Sequence, residues 1–155
     1  MKAIKCELPN DYGYFLSPVM DAFNQESWTW AIEVSEVYQM VDGNMKDAFR
    51  APTTLSNQQF IKSLADHPHY LVFAEWKAFP DVESIRPITN FQEFVSSDCQ
   101  FIILVVDTSF ITVIVKDDSL LANIYNTLLK NGASNLKLLA ESEIESTYFT
   151  VWGDL

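Results

Sequence analysis

The chain has 155 residues, of which 48% are hydrophobic and 20% are charged. This balance excludes an intrinsically disordered chain, whose low hydrophobicity could not offset the entropy of ordering, and the length is typical of one domain. Its 21 acidic and 10 basic residues give a formal net charge of −11. Since binding to nucleic acid or to an anionic membrane surface depends on lysine and arginine, the charge argues against both partners.

No segment predicts secretion or membrane insertion. Residues 1–9 contain two lysines, an acid and a proline, but no apolar stretch of the kind found in signal peptides. The longest apolar run, Phe101–Val106, is far shorter than the ~20 residues of a transmembrane helix. Cys6 and Cys99 lack C-x-x-C spacing, which is typical of free thiols in a reducing compartment. We therefore expect a cytoplasmic protein.

The first third of the chain predicts three strands and a helix. Apolar and polar residues alternate in 4–8 and 28–34, and a further strand covers 37–41, before a turn of Asp, Gly and Asn. The apolar spacing in 12–23 suits a helix, although an interior proline weakens it. These segments predict one half-covered sheet.

A second helix is predicted after a loop at 46–54. Ser56 and Gln59 have the spacing of a capping box, which satisfies two backbone N–H groups at a helix start. We expect this helix to end near Asp66, ahead of a proline. The next segment, 70–79, has the composition of a strand.

A hairpin is the strongest prediction in the second half. A short helix capped by Thr89 or Asn90 precedes Phe101–Val106, whose lack of alternation indicates a strand covered on both faces. Only three residues separate it from Phe110–Val115. Because parallel neighbours need a long crossover, this link requires an antiparallel pair.

The last part of the chain predicts one well-defined helix and two strands. Asp117 or Asp118 caps a helix with an apolar stripe that ends near Lys130. Alternation at 136–140 and the residues 148–152 indicate strands. The predicted fold is a single α+β domain over residues 1–155, with a mostly antiparallel or mixed sheet of about six to eight strands and two to four helices.

The common catalytic and cofactor motifs are missing from the sequence. The four glycines are too far apart to form a G-x-G-x-x-G turn or a Walker A loop. No G-x-S-x-G elbow, H-E-x-x-H helix or EF-hand loop occurs. We therefore expect no cofactor.

Two small groups of residues offer weak catalytic or metal-binding alternatives. His67 and His69 lie two residues apart, which on an extended segment points both rings to one face. With an oxygen from Asp66, they could contribute to a metal site. The alternative is that this segment is only a loop between a helix and a strand. Asp98 and Cys99 precede the central apolar run, where a cysteine nucleophile would need a histidine base; the alternative is a buried structural thiol.

Carboxylates and tryptophans on the predicted strands leave two further alternatives open. Glu33, Glu75 and Asp107 lie in or at the ends of strands, where two of them could act as a glycosidase pair, or could simply be solvated charges. The four tryptophans are either core residues, which alternating aromatics usually are, or a stacking platform for a sugar or a partner. They are Trp28, Trp30, Trp76 and Trp152.

Acidic residues are concentrated in two segments of the chain. Residues 6–45 contain seven acids and no base, and the residues after Lys137 contain four acids and no base. If the first and last strands were neighbours, these segments would form one acidic face that attracts a basic protein partner. The alternative is an acidic surface that only maintains solubility. The predicted partner-binding residues are Glu33, Glu36, Asp42, Glu141 and Glu143.

Three stretches resemble a family of small uncharacterised bacterial proteins, classed only as a domain of unknown function. They are Glu7-Leu8-Pro9-Asn10-Asp11-Tyr12-Gly13, the segment from Tyr70 to Pro80, and the hairpin from Ser97-Asp98-Cys99 to Lys116. The resemblance covers nearly the whole chain. It implies a bacterial cytosolic protein without an assigned activity, so no functional residue is transferred from it.

Two hypotheses of different classes follow. The first is a non-catalytic acidic binding or inhibitory protein, similar to immunity proteins, that neutralises a basic protein partner. The alternative is a small hydrolase or metal-dependent enzyme that uses His67, His69, Asp98 or Cys99. A deep pocket lined by these four side chains would favour the enzyme, and an acidic surface with exposed aromatic side chains would favour the binding protein.

Overall fold

The computed structural model describes residues 2–147 and 149–151, and the side chains of all of these except Lys2. It contains one eight-stranded sheet. Its strands are β1 (Lys2–Glu7), β2 (Thr29–Val41), β3 (Asn44–Asp47), β4 (Thr53–Ser56), β5 (His69–Phe79), β6 (Phe101–Val106), β7 (Phe110–Val115) and β8 (Ser134–Leu139).

Within the described residues, five α-helices connect these strands or follow them. They are α1 (Ser17–Met20), α2 (Asn57–Asp66), α3 (Phe91–Ser96), α4 (Asp118–Lys130) and α5 (Glu141–Glu145). Two short 3-10 helices occur at Asp21–Phe23 and Val82–Ser84. No helix among the described residues has the length and apolar character needed to cross a bilayer.

The strands lie in the order β3-β2-β5-β6-β7-β1-β8, and β4 pairs with the first part of β2. Each pair is antiparallel, so the predicted α+β class with a mostly antiparallel sheet is confirmed. The predicted hairpin is the β6–β7 pair, in register from Phe101↔Val115 to Val106↔Phe110. β1 and β8, from opposite ends of the chain, are neighbours.

Each face of the sheet has its own apolar core. The first face packs against α1, α2 and α4 and buries the rings of Trp30, Trp76 and Phe101 completely. The second face packs against α3, α5 and residues 149–151, with Phe94 and Phe149 at its centre. The helices on this second face, α3 and α5, are short and cover only part of it. Many residues of the second face near the β2–β3 and β6–β7 turns are therefore half-buried or exposed.

The predicted helix starts are present with their caps. Ser56 accepts a hydrogen bond from Gln59 N, and the Gln59 side chain accepts one from Ser56 N, which completes the capping box. Asn90 caps α3, and Asp117 caps α4 through two backbone N–H groups. Local sequence therefore determines these three termini.

Several predicted element boundaries were wrong. The predicted strands at 28–34 and 37–41 form one continuous strand, β2, and the predicted loop at 46–54 contains parts of β3 and β4. The helix predicted at 12–23 is reduced to α1 and a 3-10 turn, since Pro18 fits only the first turn of a helix.

The last predicted strand and the number of helices also differ. Phe149, Thr150 and Val151 form bends and a turn instead of a strand, while Tyr148 and Trp152 lie outside the described residues. The described part of the chain has one helix more than the predicted upper number of four. The addition is the acid-rich α5, whose five residues are too few to show a helical period.

The tryptophans within the described residues belong to the core. Trp30 and Trp76 are fully buried and Trp28 is 9% exposed, so these three do not form a platform. Trp30 Nε1 donates to Asn57 Oδ1 at 2.8 Å, and Asn57 Nδ2 donates to the carbonyls of Phe23 and Glu26. A buried asparagine thus ties β2 and α2 to the turn between α1 and β2. Trp152 lies outside the described residues.

Candidate functional site

The two histidines do not form a metal site. His69 is buried at the start of β5, where its backbone exchanges hydrogen bonds with Gly13, and burial lowers the pKa of its imidazole. Its Nδ1 lies 3.4 Å from the carbonyl oxygen of His67. Among residues 2–147 and 149–151, no three His, Cys, Asp or Glu side chains are grouped closely enough to hold a metal ion.

Cys99 has no histidine base beside it. The thiol is fully buried, and burial raises its pKa to about 12, the opposite of what a thiolate nucleophile needs. Gln100 N bonds to Ala78 O, which places Cys99 at the far end of β5 from His69. The strand between them is roughly 30 Å long at 3.3 Å per residue. Asp98 is exposed beside the buried thiol.

Two of the three strand carboxylates do come together, and a buried lysine joins them. Lys77 Nζ donates to Glu33 Oε2 at 2.8 Å, to Glu75 Oε2 at 3.1 Å and to Ile88 O at 2.8 Å. The side chains of Lys77 and Glu75 are 1% and 7% exposed, so Glu75 is not a solvated charge. Asp107 lies apart, in the β6–β7 turn.

A β-bulge explains how Glu33 reaches this cluster. Ile32 pairs with Trp76 and Val34 pairs with Glu75, which leaves Glu33 as an extra residue on β2. A bulge turns two consecutive side chains toward one face of a sheet. Glu33 and Val34 therefore both lie on the second face, and Glu33 contacts Lys77 from the neighbouring strand.

The contacts of Lys77, Glu33 and Glu75 stabilise the fold. Burial and a hydrogen bond with Glu75 raise the pKa of Glu33 to about 7, whereas the hydrogen bond from Glu33 and the charge of Lys77 hold the pKa of Glu75 below its usual value despite burial. All three N–H groups of Lys77 are occupied, and Glu75 Oε1 accepts from Val151 N at 3.1 Å. These contacts fasten residues 149–151 onto the second face and leave no lysine donor for a substrate.

A different part of the second face combines tyrosines with carboxylates on its surface. Tyr38 of β2 pairs directly with Tyr70 of β5 on one side and with Asp47 of β3 on the other. The ring of Tyr12 lies 5.4 Å from the ring of Tyr70. Glu36 Oε1 accepts from the Tyr38 hydroxyl at 3.0 Å. We call these five residues the tyrosine–carboxylate surface.

The electrostatics of this surface are dominated by its carboxylates. The hydrogen bond to Glu36 is the largest cause that raises the pKa of Tyr38, and the charges of Glu36 and Asp47 add to it. Glu36 and Asp47 are exposed, while the three tyrosines are half-buried. Their rings are thus held by the sheet with one edge or face in solvent, beside two negative charges.

The predicted partner-binding residues occupy two separate places. Glu33, Glu36 and Asp42 lie on β2 or in the β2–β3 turn, and Glu36 belongs to the tyrosine–carboxylate surface. Glu141 and Glu143 lie in α5, which follows the edge strand β8. Four strands separate β2 from β8, a distance of about 24 Å along the sheet at 4.8 Å per strand.

Two of these predicted residues are already paired within the chain. Glu33 is bound to Lys77, and Glu143 Oε2 accepts from Lys137 Nζ at 2.8 Å. Glu36, Asp42 and Glu141 are exposed. The tyrosines were missed by the sequence analysis because their proximity depends on the register of β2 against β5, which no local pattern reveals.

The comparisons with known proteins agree with the resemblance found in the sequence. The chain is 24% identical to the uncharacterized protein YncE of Bacillus subtilis (strain 168) over 152 residues, which cover 97% of this chain and 99% of the relative. No solved structure matches the chain. The sequence model of a family described as protein of unknown function (DUF2691) matches residues 1–150. The chain therefore belongs to the family DUF2691.

Proposed function

We propose that this protein is a non-catalytic binding protein of the cytoplasm that captures, and by capture inhibits, a basic protein partner through the tyrosine–carboxylate surface. The observation that supports the proposal most is the row Asp47–Tyr38–Tyr70, in which three neighbouring strands place a carboxylate and two rings side by side. Tyr12 and Glu36 extend this row.

The chemistry of the surface suits arginine. A guanidinium group stacks on an aromatic face and forms two parallel hydrogen bonds with a carboxylate. Tyrosine presents a large contact area with little conformational entropy to lose, and Tyr and Arg are enriched at the energetic centres of interfaces. The sheet limits the movement of Tyr38 and Tyr70 further, because each side chain has a directly paired neighbour.

The net charge supports the same class of partner. A chain with a net charge of −11 attracts a basic protein over long range and raises the rate of association at low salt. The contrasting hydrolase hypothesis lacks support from geometry, since His69 and Cys99 lie at opposite ends of β5. The charge and the geometry therefore support the binding hypothesis more than the enzymatic hypothesis.

Charge reversal in two places tests the proposal. The Glu36→Lys/Asp47→Lys variant reverses both carboxylates of the surface, and Glu141→Lys/Glu145→Lys makes the same charge change in α5. Each protein is immobilised, and partners are captured from a bacterial lysate and identified by mass spectrometry. We expect the native chain and the α5 variant to retain the same basic protein and the surface variant to lose it. Equal capture by all three proteins, or capture of acidic proteins, would contradict the proposal.

A second pair of variants separates stacking from charge. Tyr70→Ala removes a ring without changing the net charge, and Tyr125→Ala removes a half-buried ring of α4 on the other face. We expect Tyr70→Ala to weaken the captured complex by about tenfold or more, as for a hot-spot residue, and Tyr125→Ala to leave it unchanged. Equal affinities for the two variants would argue for charge attraction alone.

A further inference from the structure

We propose that the second face contains a binding site for a small organic anion with an apolar body, such as a medium-chain monocarboxylate. The site lies between the sheet and Ser146, Thr147 and Thr150, which follow α5. It is separate from the tyrosine–carboxylate surface, and nothing in the proposed protein-binding function requires it.

The floor of this site is one row of side chains that crosses four strands. Leu104 of β6 pairs with Thr112 of β7, Thr112 with Lys5 of β1, and Lys5 with Lys137 of β8. Because directly paired residues lie on the same face, the row runs from an apolar end at Leu104 to a cationic end at the two lysines. The Thr112 hydroxyl lies between the two ends.

The pair of lysines is unusual for this chain. Like charges directly opposite one another destabilise a sheet, and the chain has only 10 basic residues against 21 acidic ones. Glu143 neutralises Lys137 at 2.8 Å, but among the described residues no carboxylate forms an ion pair with Lys5. An anion bound beside Lys5 would balance this charge.

Two cavities lie above the row and share three of its lining residues. One of about 230 Å³ is lined by Lys137 and Glu143. The other, of about 320 Å³, is lined by Leu104, Val106 and Phe110 and by the carboxylate of Asp107. The residues lining both are Lys5, Thr112 and Thr147. Together they form a groove with the two lysines and Glu143 at one end, and mainly apolar side chains beside Asp107 at the other.

The dimensions of the groove fit a ligand of moderate length. Two strand spacings separate Lys5 from Leu104, about 10 Å, which is close to the length of an extended eight-carbon chain. Phe110 is 45% exposed at the apolar end, so an alkyl chain that covers it removes apolar surface from water. The carboxylate head would lie between Lys5 and Thr112, and the alkyl chain would lie along Val106 and Phe110.

Calorimetric titration of the full chain with octanoate tests this site. Octanamide provides the same body without the charge, and acetate the charge without the body. We expect saturable one-to-one binding of octanoate, with weaker binding of both analogues. Lys5→Gln/Lys137→Gln should weaken octanoate binding by about tenfold, as expected for the loss of two exposed charge contacts, and Lys130→Gln at the end of α4 should leave it unchanged.

Thermal unfolding without ligand shows whether the substitutions leave the chain folded. Without ligand, Lys5→Gln should unfold at the same or a higher temperature than the native chain, because it relieves the cross-strand repulsion. No saturable binding of octanoate at millimolar concentration would overturn the proposal. Equal binding of octanoate by the native chain and the double variant would overturn it too, as would equal binding of octanamide and octanoate.

Discussion

Replacing Lys77 by methionine is the sharpest test of the buried ion cluster. Methionine keeps much of the volume of the lysine side chain but removes all three donors, to Glu33, Glu75 and Ile88 O. Glu75, which is 7% exposed, then remains a buried carboxylate without its cation. Removal of one partner from a buried ion pair typically costs about 3–5 kcal/mol of unfolding free energy.

The structure suggests the lower part of this range. Glu33 is 30% exposed and has a pKa raised to about 7, so it can take up a proton when the lysine is lost. We therefore expect Lys77→Met to lose about 3 kcal/mol near neutral pH, a large part of the ~5–15 kcal/mol that stabilises a typical domain. Urea unfolding followed by circular dichroism measures the loss.

Lys137→Met provides the matched control. The Lys137–Glu143 pair has the same distance of 2.8 Å, but its side chains are 62% and 42% exposed. Exposed pairs contribute at most about 1 kcal/mol, so this variant should unfold almost like the native chain. If Lys77→Met does not fold, Glu75→Gln is the milder substitution, with an expected loss of about 1–3 kcal/mol. A loss below about 1 kcal/mol for Lys77→Met would refute the reasoning.

Three further predictions concern buried or partly buried groups. The pKa of Glu33 is higher in the folded chain than in the unfolded chain, so the free energy of unfolding should fall as pH rises from about 4.5 to about 7. The Glu33→Gln variant should lack this fall. In urea unfolding, the variant should therefore be more stable than the native chain at pH ~8 but not at pH ~5. Burial raises the pKa of Cys6 to about 11 and that of Cys99 to about 12. A thiol reagent should therefore label neither cysteine in the folded chain and both cysteines in urea. Rapid labelling without urea would show that the thiols are accessible. Asn57→Ala should lower the free energy of unfolding by about 3 kcal/mol and red-shift the tryptophan fluorescence, because it leaves Trp30 Nε1 and two carbonyls without their partner. An unchanged unfolding midpoint would contradict this prediction.

Features of the fold that depend on a few neighbouring residues could be predicted from the sequence. The capping box of Ser56 and Gln59 identifies the start of α2, and the three-residue link between β6 and β7 permits only an antiparallel pair. In both cases the determining residues lie within a few positions of one another in the sequence.

Features that depend on strand order and register could not be predicted. Lys77 and Glu33 are 44 residues apart, and they meet only because β2 contains a bulge opposite β5. Strands β3 and β4 have four residues each and lack fully buried positions, so they show little apolar periodicity. The two acidic segments were expected to share a face if the first and last strands were neighbours. β1 and β8 do pair, but most acids of the first segment lie outside β1.

The proposed binding surface depends on the same long-range register. Tyr38 and Tyr70 are ordinary strand residues in the sequence, and only the pairing of β2 with β5 makes them neighbours. Tyr12 reaches them because Gly13 forms an isolated bridge with His69. For the proposed partner, the net charge of the sequence indicates a basic protein, and the sheet topology brings together the residues of the proposed surface.

The most direct measurement is an NMR titration of the ¹⁵N-labelled chain with an arginine-rich peptide and, in parallel, with a lysine peptide of the same length. We predict that the arginine peptide shifts the amide resonances of Glu36, Tyr38, Asp47 and Tyr70 at lower concentration than the lysine peptide does. Shifts that are spread evenly over all exposed acids, or that centre on α5, would contradict the proposed binding surface.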